Sequence, residues 1–208
     1  MNTMMRNIAL TLLAVMALSL SSCNKDKEAP ELTLIGDDVE IALYGTYTEQ
    51  GATAQDEKDG NLTAQIQIVP NIDVNVLGDY SVQYSVSDEA GNTATRTRMV
   101  TVSMMPENWA GNFNVTSTCS GAIIIADEQT ASVNGSEVSF NPVYSVVGGT
   151  LTGTVSGQSI TFPSQTVGTN TVVGTGTIND DASQIVLDLT FSIPIIGDQM
   201  CTLTYDRN

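Results

Sequence analysis

Gly78-Asp79-Tyr80-Ser81-Val82-Gln83-Tyr84-Ser85-Val86-Ser87 runs straight into Asp88-Glu89-Ala90-Gly91-Asn92. Tyr80, Val82, Tyr84 and Val86 alternate with Ser81, Gln83 and Ser85. Successive side chains on a strand point to opposite faces, so this pattern predicts a half-buried strand with one apolar face. In the polar run that follows, Asp88 and Asn92 can bond their own backbone and Gly91 tolerates positive φ, which predicts a turn. The chain then returns from Thr93 to Ser103. On that return Arg96 and Arg98 share a face with Val100 and Val102, and this parity calls for a bulge or an exposed first half.

Upstream of this hairpin, further positions fall into a recognisable pattern. They are Pro30, Leu32-Thr33-Leu34, Gly45 and Tyr47, then Glu49, Gly51-Ala52 and Ala54, then Asp56, Asp59-Gly60 and Leu62-Thr63. Joined to Gly78-Asp79-Tyr80, Gly91-Asn92 and the closing Val100-Thr101-Val102, they resemble the bacterial surface Ig-like domain also found in certain pesticidal crystal proteins. The resemblance spans 29–103. It implies a seven-stranded Greek-key sandwich used as a spacer or adhesion module, and no catalysis.

The N-terminus reads as an address. Residues 1–22 place Arg6 ahead of an apolar core from Ile8 to Leu20, too short to span a bilayer comfortably, and end in small residues. That is a secretory signal, with a short membrane anchor as the alternative. Leu20-Ser21-Ser22-Cys23 resembles the lipobox of bacterial lipoproteins, in which the cysteine takes a diacylglycerol and becomes the new N-terminus. Asn24-Lys25-Asp26-Lys27-Glu28 is similar to the short acidic tether of outer-membrane lipoproteins of the Bacteroidota. The resemblance implies an outer-membrane location facing the cell surface, with the periplasmic face as the alternative. The expected segments are a signal at 1–22, a lipidated cysteine and tether at 23–29, an Ig-like sandwich at 30–104 and a second β domain at 105–208.

With Cys23 assigned to lipid on that resemblance, Cys119 and Cys201 remain as a pair in an exported, oxidising setting. A bridge between them closes a loop of about 80 residues, worth roughly 4.5 kcal/mol on the chain-entropy picture. Two free thiols are the other option, although no histidine is present to lower a thiol pKa.

The second half shares the β character but differs in composition. Residues 29–104 hold 12 acids and 3 bases, while 105–208 hold 9 acids and 1 base and are rich in Gly, Ser and Thr. Pro106, which cannot donate to a ladder, suits the junction. Alternating runs rich in Val, Ile and Thr predict strands at 109–118, 120–126, 129–134, 137–147, 149–155, 158–162, 171–178, 184–191 and 199–205. Asn134-Gly135 and Ser156-Gly157 supply hairpin turns. Trp109-Ala110-Gly111 opening the first strand is similar to calycin-type small barrels. An eight- or nine-stranded barrel, an open curved sheet and a second sandwich all satisfy the pattern. The fold class is all-β throughout.

The 208 residues carry 23 acids against 7 bases, a formal charge of −16. That charge disfavours nucleic acid, because neutralising phosphates takes Lys and Arg. The absence of histidine removes Ser-His-Asp and Cys-His catalysis and the usual zinc sites. Asp180 and Asp181 sit in an evident turn, where adjacent acids are solvated, so no catalytic residue is predicted. Asp56, Asp59 and Asp88 crowd two oxygen-rich loops that suit Ca²⁺, although turn capping accounts for them without a metal. Trp109, Tyr44 and Tyr47 are the candidates for ligand contact, with core packing as the simpler reading. No other cofactor is expected beyond the acyl groups on Cys23.

The expected function is therefore a non-catalytic cell-envelope lipoprotein. Its Ig-like spacer would present a C-terminal domain that binds a glycan or a surface protein, by likeness to glycan-capture lipoproteins of the Bacteroidota. A carrier of a lipid or small apolar ligand inside a barrel, and a purely structural role, are the alternatives.

Overall fold

The computed structural model describes residues 25–208 apart from 122, 124 and 144–148; the signal segment and Cys23 lie outside the described residues. Seven strands come first: β1 Glu31–Leu34, β2 Val39–Ala42, β3 Ala52–Asp56, β4 Gly60–Asn61, β5 Gln67–Asn71, β6 Gly78–Ser87 and β7 Thr93–Ser103. They form a three-stranded sheet ordered β1-β3-β4 and a four-stranded sheet ordered β2-β7-β6-β5, the two sheets of an Ig-like sandwich. β2 runs parallel to β7, with Val39 opposite Val100 and Ile41 opposite Val102. The alternation of the opening stretch is realised as expected: Val82, Tyr84 and Val86 are buried.

The parity of β7 is resolved by an exposed first half, in which Thr93, Thr95, Arg96 and Thr97 all face solvent. Its burial alternates without a break from Arg98 through Val100 to Val102, while Arg96 stays exposed. Arg98 lies on the apolar face with no solvent exposure. A buried cation is costly unless its donors are satisfied. Here Nη1 donates to Glu49 Oε1 at 3.0 Å and Nη2 donates to the Ile35 carbonyl.

The rest of the chain is a closed antiparallel barrel. After a 3₁₀ turn at Pro106–Trp109 come β8 Gly111–Cys119, β9 Glu128–Asn134, β10 Glu137–Asn141, β11 Leu151–Ser156, β12 Ser159–Val167, β13 Asn170–Ile178, β14 Gln184–Ile193 and β15 Gly197–Arg207. The order around the barrel is β10-β11-β12-β13-β14-β15-β8-β9. Three expectations change. Trp109 belongs to the 3₁₀ turn rather than to a strand, β10 ends at Asn141, and among the described residues of 120–126 there is no strand beyond an isolated bridge at Ile125. Residues 122, 124 and 144–148 of the expected strands lie outside the described residues.

Closure rests on the seam between the first and last barrel strands. β8 and β15 pair from Phe113–Arg207 to Cys119–Cys201, and the two cysteines form a disulfide across that seam. At Gly174 the barrel leaves no room for a side chain, since a Cβ there would lie 2.2 Å from the Asp188 carbonyl oxygen. The interior is filled by packed side chains, including Phe113, Phe140, Phe162, Leu187, Phe191 and Tyr205, all buried. Phe140 packs between Phe162 and Tyr205 at centroid distances of 6.0 and 5.0 Å.

The chain divides into two compact units that do not follow sequence order. The first comprises 25–34, 52–67 and 84–96 among the described residues; the second comprises 35–51, 68–83 and 97–208. Within the second, Leu43, Val102, Met104 and Trp109 belong to the same buried cluster as the barrel core.

Candidate functional site

Threonine favours exposed strand positions because its branched Cβ suits the extended backbone while its hydroxyl stays in water. On the outside of the barrel, that preference produces a continuous row. Thr154 pairs with Thr161, Thr161 with Thr175, Thr175 with Asp188, Asp188 with Thr202 and Thr202 with Thr118, across six neighbouring strands. All six side chains are exposed. Asp188 Oδ1 accepts a hydrogen bond from Thr202 Oγ1 at 2.7 Å. A depression of about 390 Å³ lies over the β14-β15-β8 part of this row, lined by Thr118, Asp188, Thr190, Met200 and Thr202 among others. The site offers hydroxyl donors, one carboxylate and a thioether, which suits a neutral, hydroxyl-bearing ligand. A second depression of about 500 Å³ lies along the β8-β9 seam beside Asn112, Glu128 and Thr130.

The aromatic candidates are engaged elsewhere. Trp109 has no solvent exposure and its indole N–H donates to the Gly157 carbonyl at 3.1 Å, so it packs in the core and presents no surface to a ligand. Tyr47 is half-buried, its hydroxyl donating to Glu49 Oε2 at 3.0 Å beside Arg98. Tyr44 keeps an exposed ring, while its hydroxyl donates to the Asp181 carbonyl at 3.0 Å within the second unit. The sequence pattern did not reveal the Arg98–Glu49 pair; its signal was the arginine on an apolar face of β7.

The acidic loops serve their own turns. Asp56 Oδ1 accepts the backbone N–H groups of Lys58 and Asp59 at 2.8 and 3.0 Å. Asp88 accepts the backbone and side-chain N–H groups of Asn92 at 2.8 and 2.6 Å. Burial works to raise the Asp88 carboxyl, but the hydrogen bonds from Asn92 and Gly91 outweigh it and hold it below the ordinary carboxylate value. Asp59 Oδ2 accepts the Glu89 N–H at 2.8 Å, joining the two loops. Among the described residues, no three His, Cys, Asp or Glu side chains are grouped to hold a metal ion.

Inside the barrel, Tyr205 donates its hydroxyl to Gln129 Oε1 at 3.0 Å, and Gln129 in turn donates to the Ala126 carbonyl. Burial pushes the Tyr205 phenol well above its ordinary value. This pair is structural, since both side chains are buried in the filled interior.

Residues 32–102 match the family model of the bacterial surface protein Ig-like domain. No curated protein matches the chain. Among solved structures, the lipoprotein BT2262 from Bacteroides thetaiotaomicron aligns at 15% identity over 85% of this chain and 100% of its own, with a TM-score of 0.35. CBM51-2 in complex with GlcNAc, with INT domains, from Clostridium perfringens ZmpB aligns at 14% identity over 84% of this chain and 43% of its own, with a TM-score of 0.31.

Proposed function

We propose that the protein is a non-catalytic lipoprotein of the bacterial cell envelope, anchored through acyl groups on Cys23, whose Ig-like region spaces a glycan-binding barrel from the membrane. The sandwich occupies 30–104 and the barrel 105–208. The anchor rests on the Leu20-Ser21-Ser22-Cys23 motif, and the envelope setting on the Ig-like match at 32–102. The observation that carries the binding reading is the exposed Thr154–Thr161–Thr175–Asp188–Thr202–Thr118 row with the depression above it. Sugars are bound by such convergent hydroxyl and carboxylate groups, with apolar side chains covering the ring faces. Met200, 69% exposed, and Val173, 43% exposed, flank Thr190 in the adjacent register and supply that apolar surface. The packed aromatic interior favours an external site over a carrier's internal one.

Native gels containing a panel of plant, host and bacterial polysaccharides test this reading, using the chain from residue 24 onward. One polysaccharide should retard the protein, and Asp188→Ala combined with Thr202→Ala should abolish the retardation at unchanged thermal midpoint. Free migration in every polysaccharide would overturn the glycan reading.

A further inference from the structure

The polar segment 26–30 ahead of the first strand is fastened to the protein rather than extended from it. Asp26 Oδ1 pairs with Lys58 Nζ at 3.0 Å and also accepts the Glu28 N–H at 3.1 Å. The carbonyl of Glu28 accepts the Asn92 side-chain N–H at 2.9 Å. Pro30 is buried and Glu31 opens β1. Lys58 belongs to the loop that Asp56 closes, and Asn92 to the loop that Asp88 closes. Those two loops are themselves joined through Glu89 N–H and Asp59 Oδ2. Tether and loops therefore form one piece within the first unit. The Lys58 ammonium beside Asp26 holds that carboxyl below its ordinary value, with the Glu28 N–H adding to the effect.

We propose that the loops 56–61 and 87–92 are the face that the lipidated protein sets against the headgroup layer of its own bilayer. The proposal rests on the reading of Cys23 as the acylated residue. The argument for this occupant is chain length. Only Asn24 and Lys25 separate Cys23 from Asp26. An extended chain advances at most about 3.6 Å per residue, so Asp26 stands within roughly 11 Å of the anchored cysteine. A body fastened that close cannot tumble on a long stalk. Its facing surface carries Lys25, Lys27 and Lys58 among Glu28, Glu57, Asp59 and Glu89, with acids in excess. That mixture suits a zwitterionic headgroup layer and is repelled by a strongly anionic one. The anchored protein therefore stands on this face, with the spacing set by the Asp26–Lys58 and Glu28–Asn92 fastenings.

The test uses the full acylated protein in phosphatidylcholine vesicles carrying a headgroup-linked quencher, with a fluorophore on Glu57→Cys. Fluorescence should fall at least threefold on adding quencher lipid. Ten Gly/Ser residues inserted between Asn24 and Lys25 should restore most of it. In a second variant that leaves the fold intact, Lys58→Ala, trypsin should cut after Lys27 and release the body from vesicles about tenfold faster. Equal quenching with and without the insert, or no quenching although the protein floats with the vesicles, overturns the standing face and leaves the anchor reading in place. Unchanged trypsin release overturns the fastening. Failure to float with vesicles overturns the anchor reading first, and the proposal with it.

Discussion

At the scale of single residues, Arg98 is the position where local pattern and tertiary structure disagree most usefully. Its place on the apolar face of β7 is legible from alternation, but a cation there reads as a conflict. The resolution lies 49 residues away in sequence, at Glu49, whose carboxylate meets the guanidinium at 3.0 Å. Neither residue announces the other, because an ion pair between distant segments has no local signature. Glu49→Gln keeps the shape and removes the charge that compensates a fully buried guanidinium. It should lower unfolding free energy by about 3 kcal/mol, read from urea denaturation midpoints at constant slope. A loss below about 1 kcal/mol would mean the backbone carbonyls of Ile35 and Gly51 suffice. The acidic candidates followed the opposite course. Asp56 and Asp88 were legible as turn residues, and their acceptors are indeed directed at backbone N–H groups two to four residues on.

Single strands were easier to read than their ends. β6 and β14 alternate in sequence, and their observed burial follows that period. The stretch 120–126 has the same apolar composition, yet its Ile125 and Ala126 are buried in a connection, where composition alone cannot separate a strand from a packed loop. The glycines of β13 carry information that alternation does not. Gly174 lies where β13 and β14 approach so closely that any side chain meets the Asp188 carbonyl and Leu189. Gly174→Val should therefore destabilise the protein by about 2 kcal/mol through overpacking, despite valine's preference for strands. Thermal melts of the variant would show the drop, and an unchanged or raised midpoint would refute the close approach. The disulfide belongs to this scale as well: Cys119 and Cys201 face each other across β8 and β15, the seam at which the first barrel strand meets the last.

For the whole molecule, the distribution of titratable groups sets a pH profile. Hydrogen bonds and neighbouring charge hold Asp26, Asp88 and Asp181 below the ordinary carboxylate value, with burial opposing them most at Asp88. Depressed folded values give stability that is present above about pH 4 and is lost as pH falls through them. Burial raises Tyr205, and Asp26 raises Lys58, so their contributions are complete below about pH 10 and are lost as pH climbs further. The chain has no histidine to add a step between these limits. The thermal midpoint should be flat from about pH 5 to 9 and fall on either side; a step near pH 6.5 would contradict it. Sequence by itself determined the all-β class, because alternation and turn chemistry are local; resemblance to a known domain marked the Ig-like region, and the lipobox resemblance, by assigning Cys23, left Cys119 and Cys201 as the candidate pair. Tertiary structure alone decided that the second half closes into an eight-stranded barrel, that Trp109 lies in its core, and that Arg98 finds Glu49. Closure depends on whether the last strand reaches the first. That is a question of register and curvature accumulated over a hundred residues, and no single stretch of sequence contains it.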